Sequence, residues 1–148
     1  METATVTHDA ISRPKQIRYG FFCAMGVLVW LSATLVLRLW GQYFFIPESR
    51  LSMGGMFLFS IAFLPPLIYF FLQKVQPQQQ LEALLWLSIP SMLLDVDTTY
   101  FFAQAFPNLS PAAVGAFAAW LLWSYAIVLI TGLAMSRSLS APGTVLRP

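Results

Sequence analysis

Two carboxylates, Asp95 and Asp97, lie inside an apolar run, residues 81–102, that is long enough to cross a bilayer. A charge at the centre of a membrane helix costs about 2.5–3.5 kcal/mol on insertion scales. The fold must therefore neutralise, hydrate or use these groups. The chemistry open to them is proton uptake and release, solute binding, or a place in an acid/base pair. On a 3.6-residue period Ser88, Ser91, Asp95, Thr98 and Phe102 share one face. Asp97 is about 200° round the helix from Asp95, so the two do not form a side-by-side couple. Asp95 is expected to face the bundle interior, either as a proton or solute site or as a carboxylate held by a cation and hydroxyls. Asp97 shares its face with Leu93, Tyr100 and Gln104 and is expected nearer the outer interface.

Arg38 is the natural cation. It lies roughly 30 Å along the first apolar run from Arg18, and the two aspartates lie roughly 21–24 Å along the third from Leu81. These depths overlap once the long arginine side chain is allowed for. Thr34 and Gln42, one turn either side of Arg38, mark the same stripe as polar. The spacing predicts an ion pair between Arg38 and an ionised Asp95; the alternative for Arg38 is snorkelling to the headgroups. The candidate polar cluster is therefore Arg38, Gln42, Ser91, Asp95, Asp97 and Thr98.

Other chemistry lacks parts. The lone cysteine, Cys23, allows no intramolecular disulfide and no Cys-x-x-Cys site. The lone histidine, His8, has no second ligand near it in the polar N-terminal segment. There is no Gly-x-Ser-x-Gly, His-Glu-x-x-His, phosphate loop or dinucleotide fingerprint. No catalytic residue, metal ligand or cofactor is expected, and the chain reads as non-enzymatic. Gly115 and Ala119 have small-xxx-small spacing, which suits helix packing. Trp30, Trp86, Trp120, Trp123 and Tyr125 suit a core or a headgroup belt, and an aromatic-lined cavity for a lipid or hydrophobic amine is a second use for them.

The elements that must position these residues follow from composition. Charged residues make up 9% of the 148, against about 25% in soluble domains. Too few charges remain to coat a water-facing surface, so the solvent is lipid. A net charge of +2 without a basic patch excludes a nucleic-acid partner. Four spans are predicted at about 19–39, 53–72, 81–102 and 112–133, each near the 20 or so residues that a 30 Å hydrocarbon core requires. The first exceeds a signal-peptide h-region of about 7–15 residues and reads as uncleaved. Pro65 and Pro66 predict a kink in the second, and Pro111 suits the first turn of the fourth. Residues 1–16 and 137–148 read as flexible tails. Arg13, Lys15, Arg18, Lys74, Arg137 and Arg147 fall on one side, with Arg38 and Arg50 on the other. The fold class is thus all-α: one integral membrane four-helix bundle, N-in and C-in. An Asn-Leu-Ser sequon at Asn108 reads as chance.

The stretches 90–95 (Pro-Ser-Met-Leu-Leu-Asp), 106–110 (Phe-Pro-Asn-Leu-Ser), 119–125 (Ala-Trp-Leu-Leu-Trp-Ser-Tyr) and Thr131-Gly132 resemble a family of small bacterial four-span proteins known only as a domain of unknown function. Residues 21–42, with Trp30, Arg38, Gly41 and Gln42, are similar to that family's first span, so the resemblance covers about 18–134. It implies a bacterial inner-membrane location and supplies no activity. Three functions compete, in this order: a non-enzymatic membrane component or regulator; a small proton- or solute-coupled transporter or channel using Asp95; and a lipid-modifying enzyme using Asp95, Asp97 or Tyr100. Small multidrug exporters have a similar size, but the glutamate of their first span has no counterpart between Tyr19 and Leu39. The expected partner is the bilayer, with a homo-oligomer or a membrane-protein partner left open.

Overall fold

The computed structural model describes residues 18–46 and 49–138, and no strand occurs among them. Helix α1 spans Tyr19–Phe44 and α2 spans Arg50–Leu72. A 3-10 turn, Pro77–Gln79, leads into α3, Gln80–Tyr100. The chain breaks helical geometry at Phe101 and makes one further turn, α4, Phe102–Ala105. A second 3-10 turn, Pro111–Ala113, opens α5, Val114–Ser138. Pro111 sits at the start of that turn, where its missing N–H removes no hydrogen bond. α2 runs through Pro65 and Pro66 as one helix.

The expected span limits need correction. α1 continues five residues past Leu39, to Phe44, because Gly41 and Gln42 are helical. The apolar segment 81–102 ends its regular helix at Tyr100. α5 carries Arg137 and Ser138, so the expected C-terminal tail begins inside a helix. Residues 1–16, 139–148 and the tail reading for them lie outside the described residues. Three segments are long and apolar enough to cross a membrane: Tyr19–Phe44, Arg50–Leu72 and Pro111–Arg137. α3 falls outside that set; Glu82, Asp95 and Asp97 lower its apolarity.

The helices are apolar all round and bury only narrow seams, as helices with a lipid solvent do. In α1 only Phe22, Gly26, Leu37 and Gly41 are buried, while Leu51, Phe70 and Leu122 on other helices are 88%, 66% and 73% exposed. Between helices in lipid, close packing and hydrogen bonds supply the attraction. The most extensive packing is α1 on α3, then α2 on α5, then α3 on α5; α1 and α2 barely meet.

Glycine sets the α1–α3 seam. A Cβ on Gly26 would collide with the Leu87 carbonyl and lie 3.3 Å from Ser91 Oγ. In its absence Ser91 Oγ donates to the Gly26 carbonyl at 2.9 Å. Gly132 does the same for α5, where a Cβ would collide with the Leu84 side chain. The α2–α5 seam is closed by polar groups: Trp120 Nε1 donates to Ser60 Oγ at 2.8 Å, and Trp123 Nε1 to the Phe57 carbonyl at 3.3 Å.

Two clusters pack the two ends of the bundle. One gathers Phe22, Ile68, Leu72, Leu84, Leu87 and Val128 at the Gln80 end. There Gln80, 3% exposed, donates to the Leu72 and Val75 carbonyls and so closes the end of α2. The other is aromatic, with Phe45, Phe102, Phe106 and Phe117 at the opposite end; the Phe106 and Phe117 centroids are 5.1 Å apart.

Candidate functional site

Between the two clusters the bundle is not filled. α3 buries Ala83, Leu84, Leu87, Ser88, Ser91 and Thr98 at three- and four-residue spacing. Asp95, half-buried, continues that stripe four residues after Ser91, which agrees with the inward face read from the periodicity. Its carboxylate Oδ2 accepts a hydrogen bond from Tyr125 Oη of α5 at 2.5 Å. That length is normal for a hydroxyl on a carboxylate, a bond roughly twice as strong as a neutral one. The Trp30 and Thr98 side chains also lie close enough to act on this carboxylate.

Asp95 and Tyr125 line a cavity of about 150 Å³, together with Trp30, Thr34, Ser88 and Trp120. Leu87, Ile68 and Val128 close it towards one cluster, and Leu37, Phe106 and Phe117 towards the other. Asp95 and Tyr125 are its only titratable lining groups. The Trp30 indole faces the Asp95 carboxylate, yet its buried Nε1 makes no hydrogen bond. Asp95 and Tyr125 also line a second depression, about 670 Å³, on the outward face between α3 and α5; Met92, Val96, Ala118 and Leu122 form most of the rest. The Asp95–Tyr125 bond thus belongs to the wall between an interior cavity and a lipid-facing groove.

The expected ion pair is not formed. Arg38 Nη1 donates instead to the carbonyls of Ala105, at 2.9 Å, and Gln104, at 3.3 Å. Those carbonyls end α4, where helical partners run out and a cation is well placed. The α1–α3 seam explains the correction. Gly26 and Ser91 lie at one level. Arg38 is twelve residues beyond Gly26, about 18 Å, while Asp95 is four beyond Ser91, about 6 Å. By the same count Trp30, four beyond Gly26, is level with Asp95.

The remaining candidates separate. Gln42 accepts from Asn108 Nδ2 at 2.6 Å, and the same Asn108 nitrogen bonds the Leu37 carbonyl at 3.0 Å, so both belong with Arg38 to a clamp at that end. Ser91 holds α1. Thr98 Oγ1 is bonded to its own helix, at the carbonyls of Leu94 and Asp95. Asp97 is exposed on the far side of α3, and its carboxylate has no hydrogen bond among the described residues.

Sequence reasoning did not assign Tyr125 or Trp30 to Asp95. A signal existed for Tyr125: Phe117, Leu121, Tyr125, Val128 and Gly132 form one stripe at helical spacing, and Tyr125 is its one ionisable member. No group of three His, Cys, Asp or Glu that could hold a metal occurs among the described residues.

A family model described as "Family of unknown function (DUF5367)" matches residues 44–139. The chain belongs to this DUF5367 family. The matched span holds Asp95 and Tyr125; Trp30, Thr34, Arg38 and Gln42 precede it. No curated protein and no solved structure matches the chain.

Proposed function

We propose that this DUF5367 member is a non-enzymatic, four-span protein of a bacterial inner membrane in which Asp95 has a proton- or solute-coupled task. The observation that carries this reading is that the Asp95 carboxylate has a hydroxyl partner at the wall of a cavity, and no cation among the described residues. A carboxylate kept only to hold helices together would be neutralised by the nearest cation, and Arg38 is bound elsewhere. An ionisable group inside a membrane bundle and beside a cavity is a functional position by default. α3 serves as the fourth span in this reading: its 21 residues extend about 31 Å, close to the hydrocarbon thickness. The termini lie on the cytoplasmic side, supported by the basic residues that flank the spans. Reporter fusions at Gln78 and Arg147 should read as internal, and at Glu48 and Asn108 as external.

A purely structural membrane component is the second reading. It is favoured by Arg38, Ser91 and Thr98, whose side-chain hydrogen bonds among the described residues all go to main-chain carbonyls. Infrared difference spectra of the purified protein in lipid, between mildly acidic and mildly alkaline buffer, separate the two. The coupled role predicts a carboxyl band that titrates in the wild type and in Asp97→Asn, and is missing in Asp95→Asn. A band from Asp95 that never changes would remove the proton-coupled task.

A further inference from the structure

We propose that the Asp95 cavity binds a small lipophilic organic ammonium ion, admitted from the bilayer along the groove between α3 and α5. The proposal rests on Asp95 being a working group, as above, and adds the class of solute. Charge is the first argument. Among the described residues the cavity presents one carboxylate and no cationic side chain, so it complements a cation and not an anion. The lining is the second. Trp30, Phe117 and Trp120 offer aromatic rings, which attract a desolvated cation by about 2 kcal/mol or more. The rest is mainly aliphatic, with Thr34 and Ser88 as hydroxyl acceptors. A metal ion would exchange its water shell for too few oxygens here, whereas an ammonium on an apolar body needs only one carboxylate and a greasy wall. Size is the third: an apolar cavity of about 150 Å³ holds a benzene-sized body.

Access is argued from the shared wall. Asp95 and Tyr125 line both the cavity and the groove. The groove's other walls, Met92, Val96 and Leu122, are exposed to the surface that faces lipid. A lipophilic cation concentrated in the bilayer meets the carboxylate there before it reaches the interior. The carboxylate has room for it: Oδ1 accepts no hydrogen bond among the described residues, and Tyr125 takes one position on Oδ2. Tyr125 and the ammonium therefore draw on the same negative charge, and the hydroxyl weakens what the carboxylate offers the cation.

The test is a titration of the full-length protein in lipid nanodiscs with benzylammonium, followed by tryptophan fluorescence, with benzyl alcohol as the neutral control. Benzylammonium should bind saturably and more tightly than the alcohol. Asp95→Asn should weaken it by about 10–100-fold, the loss of a hydrogen bond to a charged group. Tyr125→Phe should tighten it by about two- to tenfold by removing the competing bond; a merely structural Tyr125 predicts weakening. Ala118→Phe, which narrows the groove, should slow association and dissociation together at unchanged affinity. Equal binding of benzylammonium and benzyl alcohol, or an unaltered affinity in correctly folded Asp95→Asn, would overturn the ligand class. Unaltered rates in Ala118→Phe would overturn the route. If no ammonium binds while the Asp95 infrared band titrates, the ligand is wrong and the coupled role stands. If benzylammonium binds while that band is static, the ligand stands and the proton-coupled task falls.

Discussion

Arg38 and Asp95 carry opposite charges in neighbouring helices, and the fold treats them differently. Arg38 lies at the end of the bundle and is exposed. Its guanidinium is held by two carbonyls that α4 leaves without helical partners. The two needs match: the helix end lacked donors and the arginine lacked acceptors. Asp95 lies in the middle, half-buried, with one tyrosine hydroxyl and a cavity beside it. A main chain in helical form offers no free N–H at mid-helix, because each is already bonded within its own turn. A cation can therefore be satisfied by backbone wherever a helix stops, while a mid-helix anion depends on side chains. That asymmetry makes Arg38 a fastening and leaves Asp95 chemically available.

The largest effect should come from the residue that sets the relative depth of the two charges. Gly26→Val places a side chain against the Leu87 carbonyl and should cost at or above the ~3 kcal/mol upper end of ordinary overpacking. The folded yield after extraction, measured by size-exclusion chromatography, should collapse; a normal yield would mean that the α1–α3 seam is not the reference for depth. Arg38→Leu should come next. It deprives the Gln104 and Ala105 carbonyls of a charged donor, worth about 1.5–3 kcal/mol and towards the lower figure because the guanidinium is exposed. Thermal unfolding in detergent should show the loss, and Arg38→Lys should restore part of it.

Asp95→Asn should be milder for stability, about 1 kcal/mol or less, because the amide oxygen can still accept from Tyr125. Combined with Arg38→Gln, it should give additive losses to within about 0.5 kcal/mol, as sites without shared partners do. A coupling above that, seen as rescue in the double variant, would restore the ion pair that the sequence suggested. Asp97→Asn should have the smallest effect, within about 0.5 kcal/mol, since its exposed carboxylate has no hydrogen bond among the described residues. A larger loss on the same unfolding assay would give Asp97 a role that its position does not.

The sequence alone determined the local and the one-dimensional. Composition pointed to a membrane protein, and apolar runs located all four long helices to within about five residues. Helical periodicity turned Asp95 inward and Asp97 outward, because a 100° step per residue is fixed by the backbone and needs no partner. The tertiary structure decided which helices are neighbours and at what relative height. α1 packs on α3 and α2 on α5, which no property of either helix in isolation requires. Counting residues from a presumed membrane face gave Arg38 and Asp95 overlapping depths, but that count assumed every span starts level. The height was fixed where Gly26 lets the α1 and α3 backbones touch. From that contact the partner of Asp95 is Tyr125 and not Arg38, and the space beside it remains a cavity, because packing between helices, unlike the turn within one, is decided only when the surfaces meet.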